Sequence, residues 1–192
     1  MLFVALIASG FCQTVDAGRG LIWLHTFGDR FIPIGKRRGE VPQGLARCLR
    51  GVPTASDNYP EEFSYESTPQ LLRVGAGEFS PVAESVWQFS VSGLPVLQSW
   101  LSYRMRSGAG RQTSPLDRIR PEQWTATMTQ ELLELIWALE ATVEMFPSLE
   151  EIFKGVIESE TFKAGELPEP TEEERKPPTE QEEERNQHEL PI

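Results

Sequence analysis

Cysteine and histidine are scarce in this 192-residue chain: Cys12, Cys48, His25 and His188 are the whole supply. Neither cysteine belongs to a CxxC pair or has a histidine at ligand spacing, which leaves out a disulfide framework and a zinc site and suits a reducing, cytoplasmic setting. With His188 in an acidic tail, nucleophile–base catalysis lacks its usual partner. Asparagine occurs only at Asn58 and Asn186, and neither is followed by two prolines, so the NPPY-like tetrapeptide that holds a flipped adenine is missing. Lys36, Lys154, Lys163 and Lys176 all lack the glycine context of a nucleotide-phosphate loop. Catalysis and cofactor binding are therefore not expected in this chain.

Long hydrophobic runs are also missing. Leu2 to Ala8 is unbroken apolar sequence, and Val15-Asp16-Ala17 resembles a small-residue cleavage site. That stretch is far shorter than the roughly 20 residues that cross a bilayer, and no Lys or Arg precedes it. Export is the minor reading, and a buried helix, a buried strand or the arbitrary start of a reading frame are the others. No membrane partner is expected.

What the chain does have is uneven charge. The formal net charge is -11, yet residues 164–192 hold ten Glu against Arg175, Lys176 and Arg185, a net of -7, which leaves -4 for everything before them. Four prolines before Gln181, the glutamates and almost nothing to bury make that tail a disordered composition, either an inert solubiliser or a mimic of DNA that competes for basic segments. The body contains two such segments. Residues 29–50 carry Arg30, Lys36, Arg37, Arg38, Arg47 and Arg50 against Asp29 and Glu40, and residues 100–120 carry Arg104, Arg106, Arg111, Arg118 and Arg120 against Asp117. These are either phosphate and base contacts or a solvated surface balanced by acids elsewhere.

Periodicity supplies an α+β outline. Residues 15–27 suit a helix weakened at Gly18 and Gly20, and the Gly and Pro density of residues 28–66 permits only short strands and turns. Residues 71–74 and 78–82 flank Gly75-Ala76-Gly77 as a hairpin, with residues 86–91 as a third strand. Pro95 suits the first turn of a helix through Tyr103, ended by Ser107-Gly108-Ala109-Gly110. After Pro121 a helix places Leu132, Ile136, Leu139, Val143 and Phe146 on one stripe, widened by Leu133 and Trp137. Pro147 is expected to stop it, and Ser148 with Glu151 to cap a second helix bearing Ile152, Phe153, Val156 and Ile157, which makes a helical hairpin. The expected organisation is an unassigned apolar start at residues 1–10, one domain at 11–163 and the tail at 164–192.

Three segments together resemble the C-terminal target-recognition (specificity) domain of type ISP restriction-modification enzymes. Residues 18–31, GRGLIWLHTFGDRF, are similar to that family's G-R-x-L-x-W-L-H-T-[FY]-G-[ED]-R-F. Residues 86–105, VWQFSVSGLPVLQSWLSYRM, match V-W-x-[FY]-x-V-S-G-x-x-V-x-x-S-W-L-x-Y-R-M. Residues 114–140, SPLDRIRPEQWTATMTQELLELIWALE, are close to S-P-L-D-x-I-R-P-x-x-W followed by E-L-L-E-L-x-W-x-L-E. Order and spacing agree as well.

The resemblance implies recognition of a sequence in double-stranded DNA, positioning an adenine for a methyltransferase domain outside this chain. In such enzymes that domain is fused to an ATP-dependent translocase and a nuclease, so S-adenosylmethionine, ATP and Mg would belong to the parent. Nothing in the chain matches those parts, and residues 1–10 and the tail fall outside the pattern. A fragment, or a separately encoded specificity piece that meets a methyltransferase/translocase domain in trans, is expected.

Arginine can pair bidentately with guanine or grip phosphates. Arg104, Arg106 and Arg111 are the first candidates for DNA contact, with Arg37, Arg38 and Arg118. Each has a structural alternative: Arg104 stacks on Trp100 one turn away, and Asp117 pairs with Arg118 or Arg120. His25 reads as a hydrogen-bonded structural residue, with a DNA contact as the other option. Trp23, Trp87, Trp100, Trp124 and Trp137 read as core anchors rather than base-stacking platforms. The reading from another class is a protein-interaction module that uses the helical hairpin and the acidic tail, or a flank of the Leu132 helix on which the absent methyltransferase domain docks.

Overall fold

The computed structural model describes residues 2–55, 58–105, 123–158, 169, 171, 172, 175 and 176, with side chains from residue 10 onward. Two compact units emerge: residues 39–146 form one, and residues 1–38 with 147–192 the other. The expected α+β class is what the chain adopts.

In the smaller-numbered unit, α1 runs Leu2–His25, so it starts well before the expected residue 15 and takes Gly18 and Gly20 in its stride. Its end explains part of the motif HTFGDRF. The N–H of Gly28 donates to the Trp23 carbonyl at 2.9 Å and that of Phe27 to the Leu24 carbonyl at 3.1 Å. This is the double bond of a Schellman stop, with Phe27 at φ 52° in the left-handed position that glycine usually takes. The Thr26 hydroxyl donates to the Ile22 carbonyl at 2.7 Å and accepts the N–H of Arg30, tying the turn down. Trp23 and Leu24 are buried.

The other unit holds a four-stranded antiparallel sheet, β1 (Arg47–Arg50), β2 (Phe63–Glu66), β3 (Leu71–Val74) and β4 (Gly77–Ser80), in the order β1-β4-β3-β2. The β3–β4 hairpin lies where the glycines place it. Gly77 has a packing reason: a side chain there would come within 2.5 Å of the Val52 side chain and 3.0 Å of its backbone.

Residues 86–91 depart from expectation. Glu84–Trp87 is a single helical turn, α2, and only Ser90–Val91 is strand, β5, paired with Leu94–Pro95, β6, across Ser92 and Gly93. Both turn residues have positive φ, as a two-residue hairpin of this twist needs. Packing overrides β propensity at Trp87, whose ring stacks on Tyr65 at 4.8 Å and meets Phe63 edge-on at 6.1 Å. Helix α3, Val96–Arg104, begins directly after Pro95, and Met105 caps it; the Ser107–Gly110 stretch proposed as its end lies outside the described residues.

The helical hairpin is not formed. One helix, α4, runs Ala126–Glu158 through Pro147. A proline inside a helix removes one backbone bond and crowds one carbonyl, which does not oblige the chain to turn back. Ser148 is consequently interior to the helix rather than a cap. The expected stripe holds over its first three turns and fails at its end: Leu132, Ile136 and Leu139 are fully buried, Leu133 and Trp137 nearly so and Val143 partly, whereas Phe146 is exposed. The buried members pack with Leu72, Val74, Phe79, Val86, Leu97, Leu101 and Trp124 into one core. Four of the five tryptophans anchor this core as expected: Trp137 belongs to it, Trp124 meets Tyr59 and Trp100 edge-on and donates from Nε1 to the Thr129 hydroxyl at 2.9 Å, and Trp87 and Trp100 pack against it, while Trp23 is buried in the other unit. Almost all of residues 164–192 lies outside the described residues.

Candidate nucleic-acid interface

Arg37 and Arg38 lie on the exposed segment after α1. The Arg38 guanidinium donates from Nε to Asp29 at 2.6 Å, an exposed pair of the kind that contributes about 1 kcal/mol or less. Arg104, the last residue of α3, belongs to the other unit and has the packing role foreseen as its alternative. Its guanidinium carbon lies 3.7 Å from the centre of the Trp100 ring, Nη1 donates to the Trp100 carbonyl at 3.3 Å, and Nη2 is 3.7 Å from Glu131. Burial lowers its pKa, opposed by Glu131 and Tyr59. The Tyr59 hydroxyl donates to the Arg104 carbonyl at 2.7 Å, so the end of α3 is held at backbone and side chain alike. Arg106, Arg111 and Arg118 lie outside the described residues, as do Asp117 and Arg120.

The sheet displays arginines that sequence reading did not single out: Arg47 and Arg50, from the basic stretch at residues 29–50, and Arg73. Cys48 opposes Phe79, Phe79 opposes Leu72 and Leu72 opposes Tyr65, a row facing the core. Because side chains alternate along a strand, the neighbouring row Arg50–Glu78–Arg73–Ser64 faces the other way. Arg47, opposite Ser80, shares that outer face. Arg47 and Arg50 are three residues apart and would ordinarily point to opposite faces. The register shift between Cys48 and Arg50 sets two β1 residues against one of β4, and this bulge turns Arg50 outward. Arg50 then pairs with Glu78 at 3.5 Å and Arg73 with Glu66 at 3.4 Å, all partly exposed to water; Arg73 Nε is buried without an acceptor. Pairs this open are worth about 1 kcal/mol or less and yield readily to a stronger anion.

The start of β1 is fixed from α4. The Glu140 carboxylate accepts the N–H groups of Leu45 at 2.8 Å and Ala46 at 3.2 Å, and Trp137 Nε1 donates to the Ala46 carbonyl at 2.9 Å. Gly44 makes room for this, since any side chain there would collide with the Glu140 carboxylate and with Trp137. Burial raises the Glu140 pKa and nearby Glu144 adds to this, while the two N–H groups and Arg47 pull it down. The Arg47 guanidinium in turn donates from Nη1 to the carbonyls of Gly44 at 2.6 Å and Ala46 at 2.8 Å.

Among the described residues no group of His, Cys, Asp or Glu could hold a metal ion, and no helix is long and apolar enough to cross a membrane. Cys12 and Cys48 are free thiols, and burial raises the pKa of Cys48, keeping it a thiol. Burial lowers the pKa of His25, favouring a neutral imidazole near pH 7.

The unit of residues 39–146 defines a class: a small α+β module that presents arginines on the outer face of its sheet, opposite a tryptophan-rich core. A family model, the type ISP C-terminal specificity domain, matches residues 8–135, and the chain belongs to that family. The match takes in α1 from residue 8 onward, the whole sheet, α3 and the first turns of α4. Searches of curated proteins and of solved structures returned no match.

Proposed function

We propose that this chain recognises a sequence in double-stranded DNA and positions a target adenine for a methyltransferase domain located elsewhere. The observation that carries the reading is the specificity-domain match over residues 8–135. Target recognition in a restriction-modification enzyme is the work such a domain is named for, and S-adenosylmethionine, ATP and Mg would be bound by the parent's other domains. Arg37, Arg38, Arg104, Arg106, Arg111 and Arg118 are proposed as contacts. Arg104 would present the exposed part of a guanidinium already fixed on Trp100, which limits the ordering cost of a contact.

Titration of a labelled duplex should show binding with a dissociation constant of about 1–100 μM to arbitrary sequence, weakening steeply as salt rises, and tighter binding to a target duplex selected from a random pool. Absence of salt-sensitive binding would sink the proposal.

A second reading, protein interaction, rests on Phe153, Val156 and Ile157, exposed at helical spacing on α4. It no longer has a helical hairpin to rely on. Removing residues 164–192 separates the two: a tail that competes with DNA predicts tighter DNA binding after its removal, and a partner-binding tail predicts loss of that partner.

A further inference from the structure

We infer that the outer face of the β1-β4-β3-β2 sheet is a contact surface for the phosphodiester backbone of duplex DNA, with Arg47 and Arg50 of the bulged edge strand as its contacts and Glu78 as the group that holds Arg50 beforehand. The inference rests on the DNA-recognition reading and adds a surface to it.

The bulge at Leu49 is the first reason. In a regular strand Arg50 would follow Cys48 to the core side, beside Phe79 and Leu72, where an unpaired guanidinium has no place. The extra residue instead brings both arginines to one face, in successive outward rows. Bulges are a recurrent means of re-aiming a side chain at a binding site.

Preorganisation is the second. Arg47 is tied through Nη1 to two carbonyls of a segment that is itself held by Glu140 and Trp137, so a phosphate meets a cation already in place. Position is the third. Among the described residues β1 has only β4 as a strand neighbour, and its far edge carries no further strand of the sheet. An edge strand can approach a duplex as an inner strand cannot.

Glu78 and Glu66 temper the charge of this face. Arg50 reaches Glu78 across 3.5 Å with more than half of its side chain in water, so a phosphate oxygen, which can accept two parallel N–H bonds from arginine, displaces the carboxylate. The carboxylate then counts against loose binding of any polyanion.

The test uses the full chain and a mixed-sequence duplex, titrated between about 50 and 200 mM salt. Arg47→Gln with Arg50→Gln should lower the slope of log affinity against log salt by roughly two and weaken low-salt binding about tenfold, with an unchanged thermal midpoint. Glu78→Gln should strengthen binding about threefold. A folded double variant that keeps the original slope overturns the inference and leaves the recognition reading standing. A parent chain without salt-sensitive binding overturns both. If the double variant does not fold, Glu78→Gln decides: unchanged or weaker binding by that variant overturns the inference.

Discussion

The two faces of the sheet divide the work. On one side Phe79, Leu72 and Val74 are fully buried and join the α4 stripe and Trp124; on the other, Arg47, Arg50, Arg73, Glu66 and Glu78 meet water. Leu71 is the exception, buried at the end of β3 apart from that core. The core face owes its stability to area removed from water, whereas the outer face contributes little to folding and is open to change. A single inserted residue at Leu49 decides which of them receives Arg50.

The largest expected effect belongs to the core face. Phe79→Ala should cost about 3–5 kcal/mol in urea unfolding, because the cavity would sit between Cys48, Leu72 and the helices. A loss of less than about 1 kcal/mol would show that this face is not the core.

Next comes the clamp between α4 and β1. Glu140→Ala should cost about 1–3 kcal/mol by stranding two backbone N–H groups, with Glu140→Gln milder because its amide oxygen can still accept. The pH profile sharpens this. Burial raises the folded pKa of Glu140 above its ordinary 4.5, so between those two values the unfolded chain has already lost a proton that the folded chain retains. Stability from this group therefore falls as pH rises through that window and levels off above it. Subtracting the profile of Glu140→Gln from the parent's should isolate the fall; a flat or rising difference would contradict it.

Arg104 offers the smallest effect and the clearest contrast with Arg47 and Arg50. Stacked on Trp100 and partly buried, it should cost about 0.5–2 kcal/mol when changed to Ala, seen as a lower unfolding midpoint. An unchanged midpoint would mean that its role lies wholly in binding.

Much of this was legible in residue order. The hairpin around Gly75-Ala76-Gly77, the buried stripe of Leu132, Ile136 and Leu139, and the tryptophans as anchors follow from turn chemistry and helical spacing. The misses share a cause. At Pro147 a local stop signal was outweighed by helix-forming sequence on both sides, and at Trp87 local β propensity lost to the rings of Tyr65 and Phe63. Among the expected contact residues, Arg104 and its stacking partner were visible one helical turn apart. The pairing of Arg47 with Arg50 was not, because a bulge leaves no signature in RCLR.

By itself, then, the sequence determined the α+β class, the family motifs, the core-facing periodicities and the segregation of acid into the tail, since these rest on spacing and composition within short stretches. Only the tertiary structure decided which face each β1 arginine takes, that Glu140 caps a strand far away in the chain, and that Arg104 is held by Trp100. Those outcomes depend on register and packing between segments remote in sequence, where a one-residue shift reverses the face a side chain points to.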